Sequence, residues 1–309
     1  KPGGSMIPTA PVKKNIFLVA FALGILIPVV IVFMRENMNT RVRGRKDLEG
    51  LSVPFIGEIP LAMRGKKKVK SHEAHTIVVK EGSRDIMNEA FRVLRTNLEF
   101  MIGKDKSSNV IVVTSFNPGS GKSFLTMNIA MSLAIKNKKV LVIDGDLRHA
   151  SASAYIHSPK IGLSNYLGGQ VDRISDIIVT DEKHASFSFI PVGTIPPNPT
   201  ELLFDDRLRE AIDTLKQQYD IVLIDCPPVE LVADTQIIEK LADRTIFVVR
   251  AGLLERSMLP ELENIYREKK YKNMSVILNG TEGSGGRYGY QYGYKYGYNY
   301  GYAGYTKEE

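Results

Sequence analysis

Tryptophan is absent from the 309 residues and cysteine occurs once, at Cys226. A single thiol excludes an intramolecular disulfide framework and any metal site built from several cysteines, so nothing in the chain calls for an oxidising compartment. The missing tryptophan excludes little. Acidic residues are the minority, 34 against 41 Lys and Arg, which leaves a formal charge of +7. That excess is not spread as a nucleic-acid surface would spread it. Much of it falls in RENMNTRVRGRK (35–46) and RGKKKVK (64–70), just after the longest stretch that has no charge at all. With 43% hydrophobic residues the chain can build a substantial core, and its length suits one large domain with appendages or two small ones.

The uncharged stretch is IFLVAFALGILIPVVIVFM, Ile16 to Met34. As a helix it measures ~28 Å, the hydrocarbon thickness of a bilayer. A buried soluble helix is the alternative, and Pro28 is tolerable in either setting. Lys13 and Lys14 precede the span, whereas Arg35, Arg41, Arg43, Arg45 and Lys46 follow it, so the charge bias places the C-terminal side in the cytoplasm. The long apolar run without a small-residue cleavage site disfavours a signal peptide. KPGGSM at the start reads as an interior cut, with more protein expected upstream.

After the span comes a polar linker that contains the semi-apolar patch LSVPFIGEIPL (51–61) and the basic run 64–70. The run reads as a site for anionic membrane lipids or as an ordinary solvated linker. From Asp85 to Phe100 the apolar residues approximate a helical period. NVIVVT (109–114), KVLVIDGD (139–146), YDIVLIDCPP (219–228), TIFVVR (245–250) and MSVILNG (274–280) read as buried strands. They lack polar alternation and helical stretches separate them, which indicates a mostly parallel sheet covered on both faces. Sites in such folds gather at the carboxyl ends of the strands.

SFNPGSGKS, Ser115 to Ser123, follows the first of those strands and precedes a helical stretch that starts at Phe124. Strand, glycine loop and helix form a phosphate-binding arrangement. Pro118, Gly119, Ser120, Gly121, Lys122, Ser123 and Phe124 are the nucleotide-binding candidates: backbone amides for the β-phosphate, Lys122 for the β- and γ-phosphates, Ser123 for Mg2+. The usual first glycine is replaced by Phe116. Asp225 ends a strand of the kind that closes such a site. Asp144 and Asp146 end another, two residues apart, and are expected to point the same way if the strand persists. A turn or helix cap is their other reading.

With these residues in view, the chain resembles the bacterial tyrosine kinases that regulate capsular and exopolysaccharide synthesis, relatives of the MinD/ParA-type P-loop ATPases. VLVIDGDLR (140–148) is similar to that family's second Walker A-type motif, IVLIDCPP (221–228) to its Walker B, and IPPNPTELL (195–203) to a stretch between them. Asn117 stands where MinD/ParA proteins carry an additional lysine, so their intersubunit-lysine mechanism is not supported. PTAPVKK before the span resembles the approach to the second transmembrane helix of polysaccharide chain-length regulators.

The resemblance implies autokinase chemistry with ATP and Mg2+. Lys122, Asp144, Asp146 and Asp225 would be catalytic, with Asp144 activating the phenol, and Ser123, Asp144, Asp146 and Asp225 would form the metal region. Asn279 resembles a base-reading asparagine, though a strand-end turn is its other reading. Glu89, Arg92 and Arg95 match an ExxRxxR motif implied to contribute to ring assembly; spacing alone allows a solvated helix face with a local pair.

The implied architecture is an α/β P-loop NTPase domain (83–285) with a mostly parallel sheet, preceded by an extracytoplasmic approach segment (1–15), a transmembrane helix (16–34) and a cytoplasmic basic linker (35–82). A tyrosine-rich tail, expected to be disordered, follows (286–309). In it Tyr288, Tyr290, Tyr292, Tyr294, Tyr296, Tyr298, Tyr300, Tyr302 and Tyr305 alternate largely with glycine, a pattern with little to pack. These nine are the implied phospho-acceptors, used in trans within a homo-oligomeric ring at the bacterial inner membrane. The implied partners are polysaccharide polymerisation and export machinery, an opposing protein-tyrosine phosphatase and membrane lipids, with no nucleic acid. The alternative is a nucleotide-controlled membrane assembly ATPase whose tail only adheres to partners.

Overall fold

The computed structural model describes residues 13–37, 39–61, 75–103, 109–229 and 233–282. The chain divides after Arg41 into two compact units. In the first, helix α1 (Lys13–Asn37) contains Pro28. Its segment Lys14–Met34 is long and apolar enough to cross a membrane, and none of it is buried within the protein.

The second unit is built on eight strands: β1 (Phe55–Pro60), β2 (Val110–Thr114), β3 (Val140–Asp144), β4 (Val179–Thr180), β5 (Phe187–Ile190), β6 (Ile221–Asp225), β7 (Arg244–Arg250) and β8 (Ser275–Thr281). They form one sheet in the order β1-β8-β7-β2-β6-β3-β5-β4. Every pairing is parallel except the short β4 against β5. The mostly parallel sheet expected from the unalternated apolar runs is present, and the reason is visible in the packing. Ile111, Val113, Val140 and Val142 enter the core on one face, while Val110, Val112, Leu141 and Ile143 enter the core on the other. A strand with both faces buried has no position left for a polar residue.

Helices α2 (Ile86–Ile102) and α3 (Lys122–Ala134) cover the first face. On the other face lie α4 (Leu163–Leu167), α5 (Pro199–Leu203), α6 (Asp206–Gln218), α7 (Asp234–Glu239) and, toward the β7–β8 side, α8 (Leu259–Arg267). Asp85 caps α2 by accepting the Asn88 backbone N–H at 2.9 Å, and Gly103 ends it at φ +72°. Phe91, Leu94 and Leu98 point into the core, each burial contributing about 1.5–3 kcal/mol.

Three strands go beyond those read from the sequence. The residues around 55–60, placed in a linker, form the edge strand β1, parallel to β8. Ile56 and Ile59 are buried against the α2 side, so FIGEIP is part of the core. Short β4 and β5 carry too few residues for a period to register. The basic run 64–70 and the tail 286–309 lie outside the described residues. Because Ile59 is fully buried, Ile59→Ala is expected to cost about 2–5 kcal/mol in urea unfolding; a linker residue would cost almost nothing.

Candidate active site

The loop between β2 and α3 owes its shape to two glycines in the left-handed region, Gly119 at φ +74° and Gly121 at φ +88°. A Cβ on Gly121 would sit 2.2 Å from the side-chain nitrogen of Asn279. That nitrogen donates to the Ser120 carbonyl at 2.8 Å, so the end of β8 clamps the loop. Ser115 and Ser120 both donate their hydroxyls to the Asn117 carbonyl, at 2.8 and 2.7 Å. Phe116, in place of the usual glycine, is buried with its ring edge-on to Phe247, centroids 4.7 Å apart. The substitution therefore fills the core beneath the loop and leaves the loop's phosphate-facing backbone unobstructed. Phe124 also turns away: its ring packs edge-on to Phe91 at 5.8 Å, which leaves only its backbone at the helix N-terminus for a phosphate.

Asp144 and Asp225 end neighbouring strands in register. The Ser123 hydroxyl donates to Asp225 Oδ2 at 2.5 Å. Asp225 Oδ1 is buried with no hydrogen-bond partner among the described residues. Asp144 Oδ2 accepts both the backbone N–H and the hydroxyl of Ser153, each at 2.7 Å. Burial and the facing Asp225 push the Asp144 carboxyl up to about 8. Burial likewise raises Asp225, to about 6, against the Ser123 hydrogen bond and the Lys122 charge. Asp146 departs from the expected strand geometry. β3 stops at Asp144, and the Asp146 Oδ1 accepts the backbone N–H groups of Arg148 and His149 at 3.2 and 3.1 Å. It caps the turn while remaining beside the other two carboxylates.

Two further groups complete the site: Arg148 and Thr200 lie in stretches singled out from the sequence, at 140–148 and 195–203, whereas Asp234 and Arg250 were not read as part of the site. The Arg148 Nε donates to Asp234 Oδ2 at 2.9 Å, its Nη2 donates to the Thr200 hydroxyl at 2.8 Å, and Thr200 donates to Asp234 Oδ1 at 2.7 Å. This triangle ties the 195–203 stretch to the turn after β3; its members lie too far apart in sequence for spacing to reveal it. Arg250, at the end of β7, lays its guanidinium where a Cβ on Gly280 would stand, and reaches the Gly121 side of the loop. Its burial lowers its pKa.

The residues present fit a Mg2+ ion held together with phosphates. The unpartnered Asp225 Oδ1 and the Ser123 hydroxyl offer oxygen ligands at the loop. Among the described residues no three His, Cys, Asp or Glu side chains form a protein-only metal cage. Lys122, Ser123, Asp144, Asp146, Asp225 and Asn279 are thus brought together. Glu89, Arg92 and Arg95 lie on α2, apart from this site, and the nine tail tyrosines lie outside the described residues.

Residues 108–276 match the AAA domain family model. The putative tyrosine-protein kinase EpsB of Ralstonia nicotianae is 34% identical over 301 residues, 93% of this chain and 39% of its own length. The tyrosine-protein kinase wzc of Salmonella typhimurium is 32% identical over 281 residues, 87% of this chain and 38% of its own. Among solved structures, the kinase domain of the Escherichia coli tyrosine kinase ETK is covered completely, by 87% of this chain, at 27% identity and a TM-score of 0.67. The chain belongs to the bacterial tyrosine kinase family. It spans about two-fifths of the length of the curated relatives it matches.

The glycine loop after β2 sits beside a pair of carboxyls with raised proton affinity. Both bind protons more tightly folded than unfolded, so stability falls as pH rises from the ordinary carboxylate range through about 6 and then about 8. Asp144→Asn removes most of that loss. In nucleotide-free protein with chelator, scanning calorimetry should find the variant's Tm raised by several degrees at pH 8 and little changed at pH 4. An equal shift at both pH values would contradict the buried-pair account.

Proposed function

We propose that this chain is the kinase-bearing part of an inner-membrane protein-tyrosine autokinase, anchored by the 14–34 helix with the sheet domain and the tail in the cytoplasm. The substrate is the tail cluster from Tyr288 to Tyr305, phosphorylated in trans within a homo-oligomer. One observation carries this reading: the Ser123–Asp225 hydrogen bond at the phosphate loop, with Asp144 in register alongside. The proposed kinase unit reaches beyond the 83–285 read from the sequence, because residues from Val42 onward, read as part of the 35–82 linker, pack into it and supply its edge strand β1.

Lys122 and the loop amides bind the phosphates of ATP and orient the γ-phosphoryl group. Ser123 and Asp225 would hold Mg2+, with Asp144 and Asp146 lining the same region; when bound, the ion neutralises charge on the phosphate oxygens. A phenol has a pKa near 10 and keeps its proton at neutral pH. Asp144 in its ionised form, which a cation bound beside Asp225 would favour over the protonated form that burial alone favours, accepts that proton as the phenolic oxygen bonds to the γ-phosphorus and the bond to the ADP oxygen breaks. Asn279 holds the loop through Ser120, and Arg250 is placed to contact the nucleotide beyond it.

The family's implied assembly motif divides in the structure. Glu89 and Arg92 pair on the exposed side of α2, whereas Arg95 is buried and donates to the Ser132 carbonyl at 2.8 Å. Each three-residue step turns 300°, so two steps carry Arg95 off the face that Glu89 occupies. Beside Glu89 the exposed face carries Ile86, Val93 and Phe100 at seven-residue intervals. An apolar stripe of this kind, edged by charge, supports a contact with a second copy. Phosphorylated tails, each phosphate adding about −1.5 to −2 charges, would repel one another and loosen that assembly. The assembly would act with polysaccharide polymerisation and export machinery, reset by a phosphatase.

Two measurements test the proposal. Purified chain incubated with labelled ATP and Mg2+ should label its tail tyrosines, and Lys122→Met should reduce labelling by at least about 10²–10³-fold. Nucleotide binding without labelled tyrosine would favour the assembly ATPase instead. In sedimentation, Val93→Ser with Phe100→Ser should shift the protein toward monomer; an unchanged size distribution would sink the α2 contact.

A further inference from the structure

The far end of α3 lies ~20 Å from the phosphate loop, the length of its thirteen residues. A cavity of about 360 Å³ opens there between α2, α3 and the segment before α2, lined by Lys80, Glu81, Arg92, Arg95, Ser132 and Lys136 among others. This volume falls within the ~300–1,000 Å³ range of small-ligand sites. Its charged lining consists of four cations and one carboxylate. Arg95 is only 8% exposed, and its Nε has no partner among the described residues. Such a donor, shielded from water and unsatisfied, is relieved by an anion that offers several oxygens.

The walls are held in place. Arg92 is fixed by Glu89 at 2.5 Å and the Ser83 carbonyl at 2.9 Å. Buried Asn88 accepts the Lys80 backbone N–H at 2.8 Å and donates to Asp85 and the Val78 carbonyl. The Lys80 and Lys136 ammonium groups have no hydrogen-bond or ion-pair partner among the described residues, so they remain available to a ligand.

We propose that this cavity is a second anion site, which receives the phosphate monoester of a phosphotyrosine from the tail of another copy of this chain. With Glu81 in the lining and Glu89 paired to Arg92, the four cations keep an excess of two charges, which a single carboxylate would only halve, whereas a phosphate dianion carries nearly two charges and three strong acceptor oxygens. Arginine clusters recognise phosphorylated peptides in this way. The tail is long enough to span between copies in contact: Tyr296 lies fourteen residues past Glu282, which allows up to ~46–50 Å of fully extended chain. The proposal rests on the tail being a kinase substrate, and it adds where the product docks.

The test uses the full chain in detergent micelles, with ADP and Mg2+ saturating the nucleotide loop. A fluorescent peptide of residues 290–302, carrying phosphate on Tyr296 by synthesis, is titrated by anisotropy beside its unmodified twin. The phosphopeptide should bind about tenfold tighter or better, and Lys80→Ala with Lys136→Ala should remove that advantage. Arg95→Lys, which keeps the charge but loses the fork, should weaken phosphopeptide binding while circular dichroism reports an intact fold. Equal binding of the two peptides, or phosphopeptide affinity indifferent to the lysine substitutions, would overturn the site. Displacement by inorganic phosphate at the peptide's own concentration would also overturn it, by reducing it to a free-phosphate site. Because the phosphate is installed by synthesis, none of these outcomes depends on the chain's own kinase activity.

Discussion

Two buried carboxyls side by side, Asp144 and Asp225, impose the constraint to which the rest of the domain answers. Like charges in a water-poor interior repel strongly, and each must be held by hydrogen bonds or keep its proton. The surrounding chain supplies both remedies. Ser153 gives Asp144 two donors, Ser123 gives Asp225 one, and Lys122 places a cation nearby. What remains uncompensated is one oxygen of Asp225, at the mouth of the phosphate loop. The domain thus carries an unfavourable arrangement where a cation and phosphates would relieve it, a pattern typical of functional sites.

The parallel sheet makes that arrangement possible. Parallel neighbours bring all their carboxyl ends to one edge, so the loop after β2, the aspartates ending β3 and β6, Arg250 ending β7 and Asn279 near the end of β8 converge although far apart in sequence. Asn279 links the two ends of the functional stretch, since its amide holds Ser120 in the loop. The triangle of Arg148, Thr200 and Asp234 braces the other side. Family membership agrees with this construction.

The α2 helix serves two surfaces at once. Phe91, Leu94 and Leu98 are buried, Ile86, Val93 and Phe100 stay outside, and Arg95 lies between the two sets. A helix with apolar residues on both sides has one more face than its own domain covers. The cavity beside Arg95 lies next to that uncovered face, so assembly and anion binding share one helix.

The strand sequences alone determined the sheet class, because VIVVT, VLVID and IVLID are apolar on both faces and only a covered parallel sheet accepts such runs. The phosphate loop was equally legible, since GSGKS between a strand and a helix is a local arrangement whose backbone needs two glycines. The edge strand β1 was hidden: FIGEIP is short, and its burial comes from α2 and β8, partners that no local pattern announces. The divergence of Asp144 and Asp146 was hidden too, because it depends on the strand ending between them. So was the fate of Arg95, which spacing set beside Glu89 and the helical rotation carried inward to Ser132. Local chemistry is written in local sequence; which carboxylate is buried, which arginine turns inward and which strand closes the edge are decided when distant segments pack.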